Sequence, residues 1–74
     1  MQQDHHRAVL RTRSVADYYA LVVSVQKALA RRGYYRGPID GIAGKGTRRA
    51  ILTYRADNGL RVMSRIDNEL LKAL

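Results

Sequence analysis

Apolar residues along the 74-residue chain recur mostly at helical spacing. Leu21, Val22, Val25, Ala28 and Leu29 lie three and four residues apart. They predict one face of a helix that starts between Asp17 and Leu21 and ends at Arg32. Ser14 or Asp17 is suited to cap its start. The β-branched run Val22-Val23-Ser24-Val25 also suits a strand, which weakens the helical signal there. Gly33 then falls where a helix end takes a left-handed residue, with Tyr34 as the apolar residue that folds back on Leu29.

A second helix is predicted from Gly44–Gly46 to Asn58, with Ala50, Ile51 and Tyr54 as its apolar stripe and Thr47 in its first turn. Gly59-Leu60 repeats the ending of the first helix, a glycine followed by an apolar residue placed to touch Tyr54. Leu60, Val62 and Ile66 alternate along the crossing segment, as if facing the core. A short third helix opens at Asp67, a good N-cap, with Glu69 near its positive end and Leu70, Leu71 and Leu74 facing inward. The fold class that follows is all-α, a small three-helix bundle with a Gly-rich loop between helices 1 and 2. Residues 1–16 lack periodicity and read as a linker or flexible lead-in, leaving 17–74 as the domain. His5 and His6 point apart on any regular backbone and have no third ligand nearby, so no metal site is expected.

Composition narrows the function. Fourteen Lys and Arg against six Asp and Glu give a net charge of +8, which favours anionic partners such as nucleic acid, anionic lipid or a carboxylate-rich wall polymer. The absence of cysteine excludes a disulfide framework and Cys-based zinc. No apolar run approaches the ~20 residues of a membrane span. The start of the chain lacks a signal-peptide pattern, so an exported protein would carry its signal outside this sequence.

The segment "GYYRGPIDGIAGKGTRRA", residues 33–50, holds five of the six glycines and the only proline. It is not a phosphate-binding loop: the first glycine of that motif would fall at Ile39, and Gly46 stands where the metal-binding hydroxyl belongs. General acid–base catalysis needs two titratable groups sharing a pocket. Asp17, Asp40, Asp57, Asp67 and Glu69 are scattered, so no enzyme and no cofactor are expected.

The ordered residues Val25-Gln26, Leu29, Gly33-Tyr34-Tyr35, Gly37, Ile39-Asp40-Gly41, Gly44, Thr47, Ala50-Ile51, Tyr54, Gly59-Leu60, Ile66-Asp67 and Leu70-Leu71 resemble the peptidoglycan-binding-like domain. That family is a three-helix module often appended to bacterial cell-wall hydrolases and cross-linking enzymes. Two positions depart from the family pattern: Arg55 replaces the usual Gln after the aromatic of helix 2, and Ser64 replaces a Gly before helix 3. The resemblance implies a non-catalytic, monomeric wall-binding module located in the periplasm or outside the cell. Its partner would be peptidoglycan, through glycan and stem-peptide carboxylates.

Most of the matched residues have folding roles. Gly33 and Gly59 stop helices, Pro38 fixes φ, Asp40-Gly41 makes a tight turn, and Ile39 and Ile42 are expected to tuck the loop inward. Ser64 implies an altered turn or a strained angle. The candidate ligand-binding residues are Tyr35, Arg36, Asp40, Lys45, Arg48, Arg49 and Arg55. An exposed Tyr35 could stack on a sugar, and arginine forks fit carboxylates. Two other readings remain open. One is a basic nucleic-acid binder with Thr47–Asn58 as recognition helix, and the other is a docking or pro-segment module using Tyr34, Tyr35 and Tyr54.

Overall fold

In the computed structural model the backbone is described from Gln2 to Leu74 and the side chains from Ala16 to Leu74. The side chains of His5, His6 and Ser14 lie outside the described residues. The chain is all-helical: α1 spans Gln2–Arg31, α2 Lys45–Asp57 and α3 Asn68–Ala73. Among the described residues there is no strand.

The start of α1 differs from the sequence-based expectation. Residues 2–20 contain neither Gly nor Pro, so nothing in the backbone stops a helix there. The apolar face marks only the part of α1 that packs. The helix itself runs on upstream through Ser14 and Asp17, which therefore do not cap its start.

Packing follows the predicted stripes. Val22, Val25, Ala28 and Leu29 of α1 are buried, and so are Ala50, Ile51 and Tyr54 of α2. Leu70 and Ile66 close the cluster, with Leu21, Tyr34, Leu71 and Leu74 packed against it. Each fully buried Val, Leu or Ile contributes about 1.5–3 kcal/mol, so these few side chains supply most of what a chain this small can gather. Tyr34 meets Tyr54 edge-on at 5.5 Å. The Tyr54 hydroxyl donates to Ala73 O at 2.8 Å, which ties the end of α3 to α2.

Both helix endings form as expected. At the end of α1, Tyr34 N–H donates to Leu29 O at 2.8 Å and Gly33 N–H to Ala30 O at 3.0 Å. At the end of α2, Leu60 N–H donates to Arg55 O at 2.8 Å and Gly59 N–H to Ala56 O at 3.3 Å. These are paired Schellman bonds around glycines with positive φ. Asp67 caps α3, its carboxylate accepting from Leu70 N–H at 2.9 Å.

Four apolar residues of the connections do not pack as expected. Ile39 and Ile42 do not tuck under the loop, and Ile42 is 66% exposed. Leu60 is exposed and Val62 is 60% exposed, so only Ile66 of the crossing segment reaches the core. The reason is that both connections are held by side-chain hydrogen bonds to their backbones, which leaves their apolar side chains free to face water. Ser64 is unstrained, since no described non-glycine residue has positive φ.

Candidate functional site

The site is built outward from a buried amide. Gln26 lies on the same face of α1 as Val22, Val25 and Leu29 and is fully buried. Its Nε2 donates to Asp40 Oδ1 at 3.1 Å, Ile42 O at 3.1 Å and Thr47 Oγ1 at 3.0 Å. Its Oε1 accepts from Asp40 N–H at 3.1 Å and Gly41 N–H at 3.0 Å. One side chain therefore fastens residues 40–42 to α1 and to the first turn of α2. A buried amide is stable only when its donors and acceptor are occupied, and here they are.

Asp40 is thus a turn residue. Its Oδ1 also accepts from Ile42 N–H at 3.0 Å. That backbone bond, followed by the Gln26 amide, holds the Asp40 carboxyl below its ordinary value of 3.8. A depressed pKa gives stability that is present above the unfolded value and lost as pH falls through the folded one. Acid unfolding below about pH 4 is therefore expected to be shallower in Asp40→Asn, which keeps the acceptor without the charge. Urea midpoints between neutral pH and pH 2 read this out, and identical acid slopes in the two proteins would refute it. At Gly41 φ is +74°, and an added Cβ would run into the Tyr19 ring. The turn closes there only with glycine.

A groove of about 570 Å³ lies between residues 34–38 and the start of α2. Tyr35, Arg36, Asp40 and Arg49 of the expected site line it, together with Tyr34 and Pro38. Gly44 and Gly46 contribute backbone to the wall. Gly44 is the N-cap of α2 without any side-chain cap bond, and the first turn carries no acidic residue. The positive helix end is therefore uncompensated from within α2.

Tyr35 is not the exposed platform expected from the sequence. It is only 8% exposed, and its hydroxyl donates to Pro38 O at 2.7 Å. Gly37 permits this packing, because a Cβ there would lie 2.6 Å from the Tyr35 hydroxyl. Tyr34 donates its hydroxyl to Asp57 Oδ2 at 2.9 Å. This bond raises the Tyr34 pKa above 10.0 and keeps the phenol neutral.

The remaining expected residues are dispersed. Lys45 is exposed at the start of α2 and does not line the groove. Arg48 turns to the other side, donating to Ala43 O at 3.2 Å and to Ser64 O at 3.1 Å. Arg55 is 4% exposed, and its guanidinium donates to Met63 O and Arg65 O. It is an internal clamp for the crossing segment, too deep to be a ligand contact. Arg36 and Arg49 are exposed, and among the described residues neither has an ion-pair partner.

Gln26 and Tyr19 are the residues that site reasoning from sequence passed over. The signal for Gln26 is its period: a polar residue between Val22, Val25 and Leu29 must lie on the buried face. No group of three metal-binding side chains occurs among the described residues. No described helix is long and apolar enough to cross a membrane.

Over 49 residues the chain is 41% identical to the localization factor PodJL of Caulobacter vibrioides, found in two strains. The match takes in 66% of this chain and 5% of that protein, so the chain spans only a small part of its relative's length. No solved structure matches. Residues 19–74 match the family described as "Putative peptidoglycan binding domain". That match covers the packed part of α1, the loop, the groove and both later helices, and the chain belongs to the peptidoglycan binding domain family.

Proposed function

We propose that this chain is a non-catalytic module that binds peptidoglycan through the groove beside α2 and holds a larger bacterial protein at the wall. The observation that carries the reading is the groove itself. The Gly-rich loop is pinned by Gln26 on its inner side, and its outer side forms a concave surface with Arg36 and Arg49 free to meet an anionic polymer. The site of action is then the periplasm or the cell exterior. A match that takes up 5% of a localization factor is what a small positioning module within a long protein would give.

The chemistry supports binding without catalysis. Asp40 is the one carboxylate lining the groove, and its Oδ1 is already engaged by Gln26 and Ile42. A hydrolytic site calls for a second titratable partner. The nucleic-acid reading loses support because Arg48 and Arg55 turn towards residues 63–65, leaving α2 with Arg49 as its outward arginine.

The chain is expected to cosediment with insoluble sacculi at about 50 and 150 mM salt while releasing no soluble sugar. Recovery of the protein in the supernatant at both salt concentrations would sink the proposal.

A further inference from the structure

We infer that the groove receives a carboxylate, so that the module holds the stem peptides of the wall and not its glycan strands. The inference rests on the wall-binding reading above. It follows from which hydrogen-bonding groups of the groove are still free.

Sugar recognition calls for an open aromatic face with donors and acceptors for hydroxyls around it. Tyr35 does not offer this, and Tyr34 has no free hydroxyl to accompany its ring. Tyr35 is buried with its hydroxyl committed to Pro38 O, and Tyr34 is held edge-on against Tyr54 with its hydroxyl committed to Asp57. Thr47 is buried, and its hydroxyl accepts from Gln26. Of the polar side chains that remain, Arg36 and Arg49 are donors only, and Asp40 is the single carboxylate, with Oδ1 committed to Gln26 and Ile42 N–H. A guanidinium fork matches a carboxylate with two parallel charge-assisted bonds and matches a sugar hydroxyl poorly. The uncapped, acid-free start of α2 adds positive potential on the same side. The two free guanidiniums and the positive helix start outweigh the one partly engaged carboxylate of Asp40 and favour an anion, and the carboxylates of peptidoglycan are on its stem peptides.

The test titrates the full chain with three soluble probes, followed by backbone amide shifts or calorimetry. They are a disaccharide carrying its stem peptide, the same compound with its carboxylates converted to amides, and the disaccharide without peptide. The first is expected to bind, and the other two about tenfold or more weakly, the loss of a charge-assisted contact. Arg36→Gln and Arg49→Gln should each weaken the first probe by a similar factor and leave the thermal midpoint unchanged, since both side chains are exposed. Equal affinity for the carboxylate and amide forms would overturn the inference while leaving wall binding intact. Inorganic phosphate binding as tightly as the first probe, and lost in the same variants, would reveal an unselective anion site and also overturn it. Failure to bind both sacculi and all three probes would overturn the wall-binding reading together with the inference.

Discussion

Replacing Gln26 by leucine is expected to lower stability by about 3–4 kcal/mol. Leucine fills a similar volume, so the loss is polar. Thr47 Oγ1 loses its donor, Ile42 O keeps only its bond from Gly44 N–H and the long one from the Thr47 hydroxyl, and Asp40 N–H and Gly41 N–H lose their acceptor. An unpaired buried polar group costs about 1–3 kcal/mol. The sum is discounted because the loop lies near the surface, where water can reach part of it. A domain of this size holds only about 0.05–0.15 kcal/mol per residue, so the variant should be close to unfolding at room temperature. The expected fall in thermal midpoint is about 15–25 °C, measured by circular dichroism at 222 nm. Gln26→Glu separates the two halves of the amide. It keeps an acceptor for the loop N–H groups, loses the donor, and sets a second carboxylate against Asp40. It should be at least as unstable as Gln26→Leu at neutral pH. A midpoint within about 5 °C of the parent for Gln26→Leu would mean that the loop is held by something other than this amide.

The same residue shows how far a sequence reading reaches. Helix ends were legible because they rest on local chemistry: Gly33-Tyr34 and Gly59-Leu60 each close a Schellman pair, and Asp67 caps α3. The buried stripes were legible because a period of three and four reports which face packs. Neither device reports where a helix stops packing and merely continues, which is why the upstream extent of α1 was missed. The connections were misread for a related reason. Ile39, Ile42, Leu60 and Val62 read as core residues by apolar character alone, but their segments are anchored by Gln26, Arg48 and Arg55 through main-chain atoms. A polar side chain that replaces hydrophobic anchoring looks like a surface residue until its place in the helical period is considered. Of the expected site, Arg36, Asp40, Arg49 and Tyr35 do line one groove, because the loop brings residues 35–40 against the first turn of α2. The orientation of Tyr35 depends on the space left by Gly37, a contact that spacing alone does not encode.

Arg55 carries the second large expectation. Arg55→Met should cost about 2 kcal/mol, the value of a charged hydrogen-bonding group after allowing for water reaching the segment it serves. Methionine retains the aliphatic bulk where Arg55 completes the buried stripe of Thr47, Ala50, Ile51 and Tyr54, so packing is largely kept. What disappears is the guanidinium, which bonds Met63 O and Arg65 O on either side of Ser64 and lies 4.0 Å from the Asp67 carboxylate. The two departures from the family pattern, Arg55 and Ser64, are therefore in one place: the arginine supplies donors to the turn in which serine stands for glycine. Arg65 Nε, 3.4 Å from Asp67 Oδ2, remains to hold the α3 cap in part. Nη1 alone serves both carbonyls while Nη2 faces Asp67, and the single ammonium of a shorter lysine cannot replace both nitrogens, so Arg55→Lys should recover only part of the loss. Thermal unfolding of the three proteins gives the ranking, with Arg55→Met about 10 °C below the parent. At a temperature where all are folded, sacculus binding by Arg55→Met should match the parent, because the side chain faces the crossing segment and not the groove. Unchanged stability with lost binding would reverse that assignment and return Arg55 to the ligand-contacting surface.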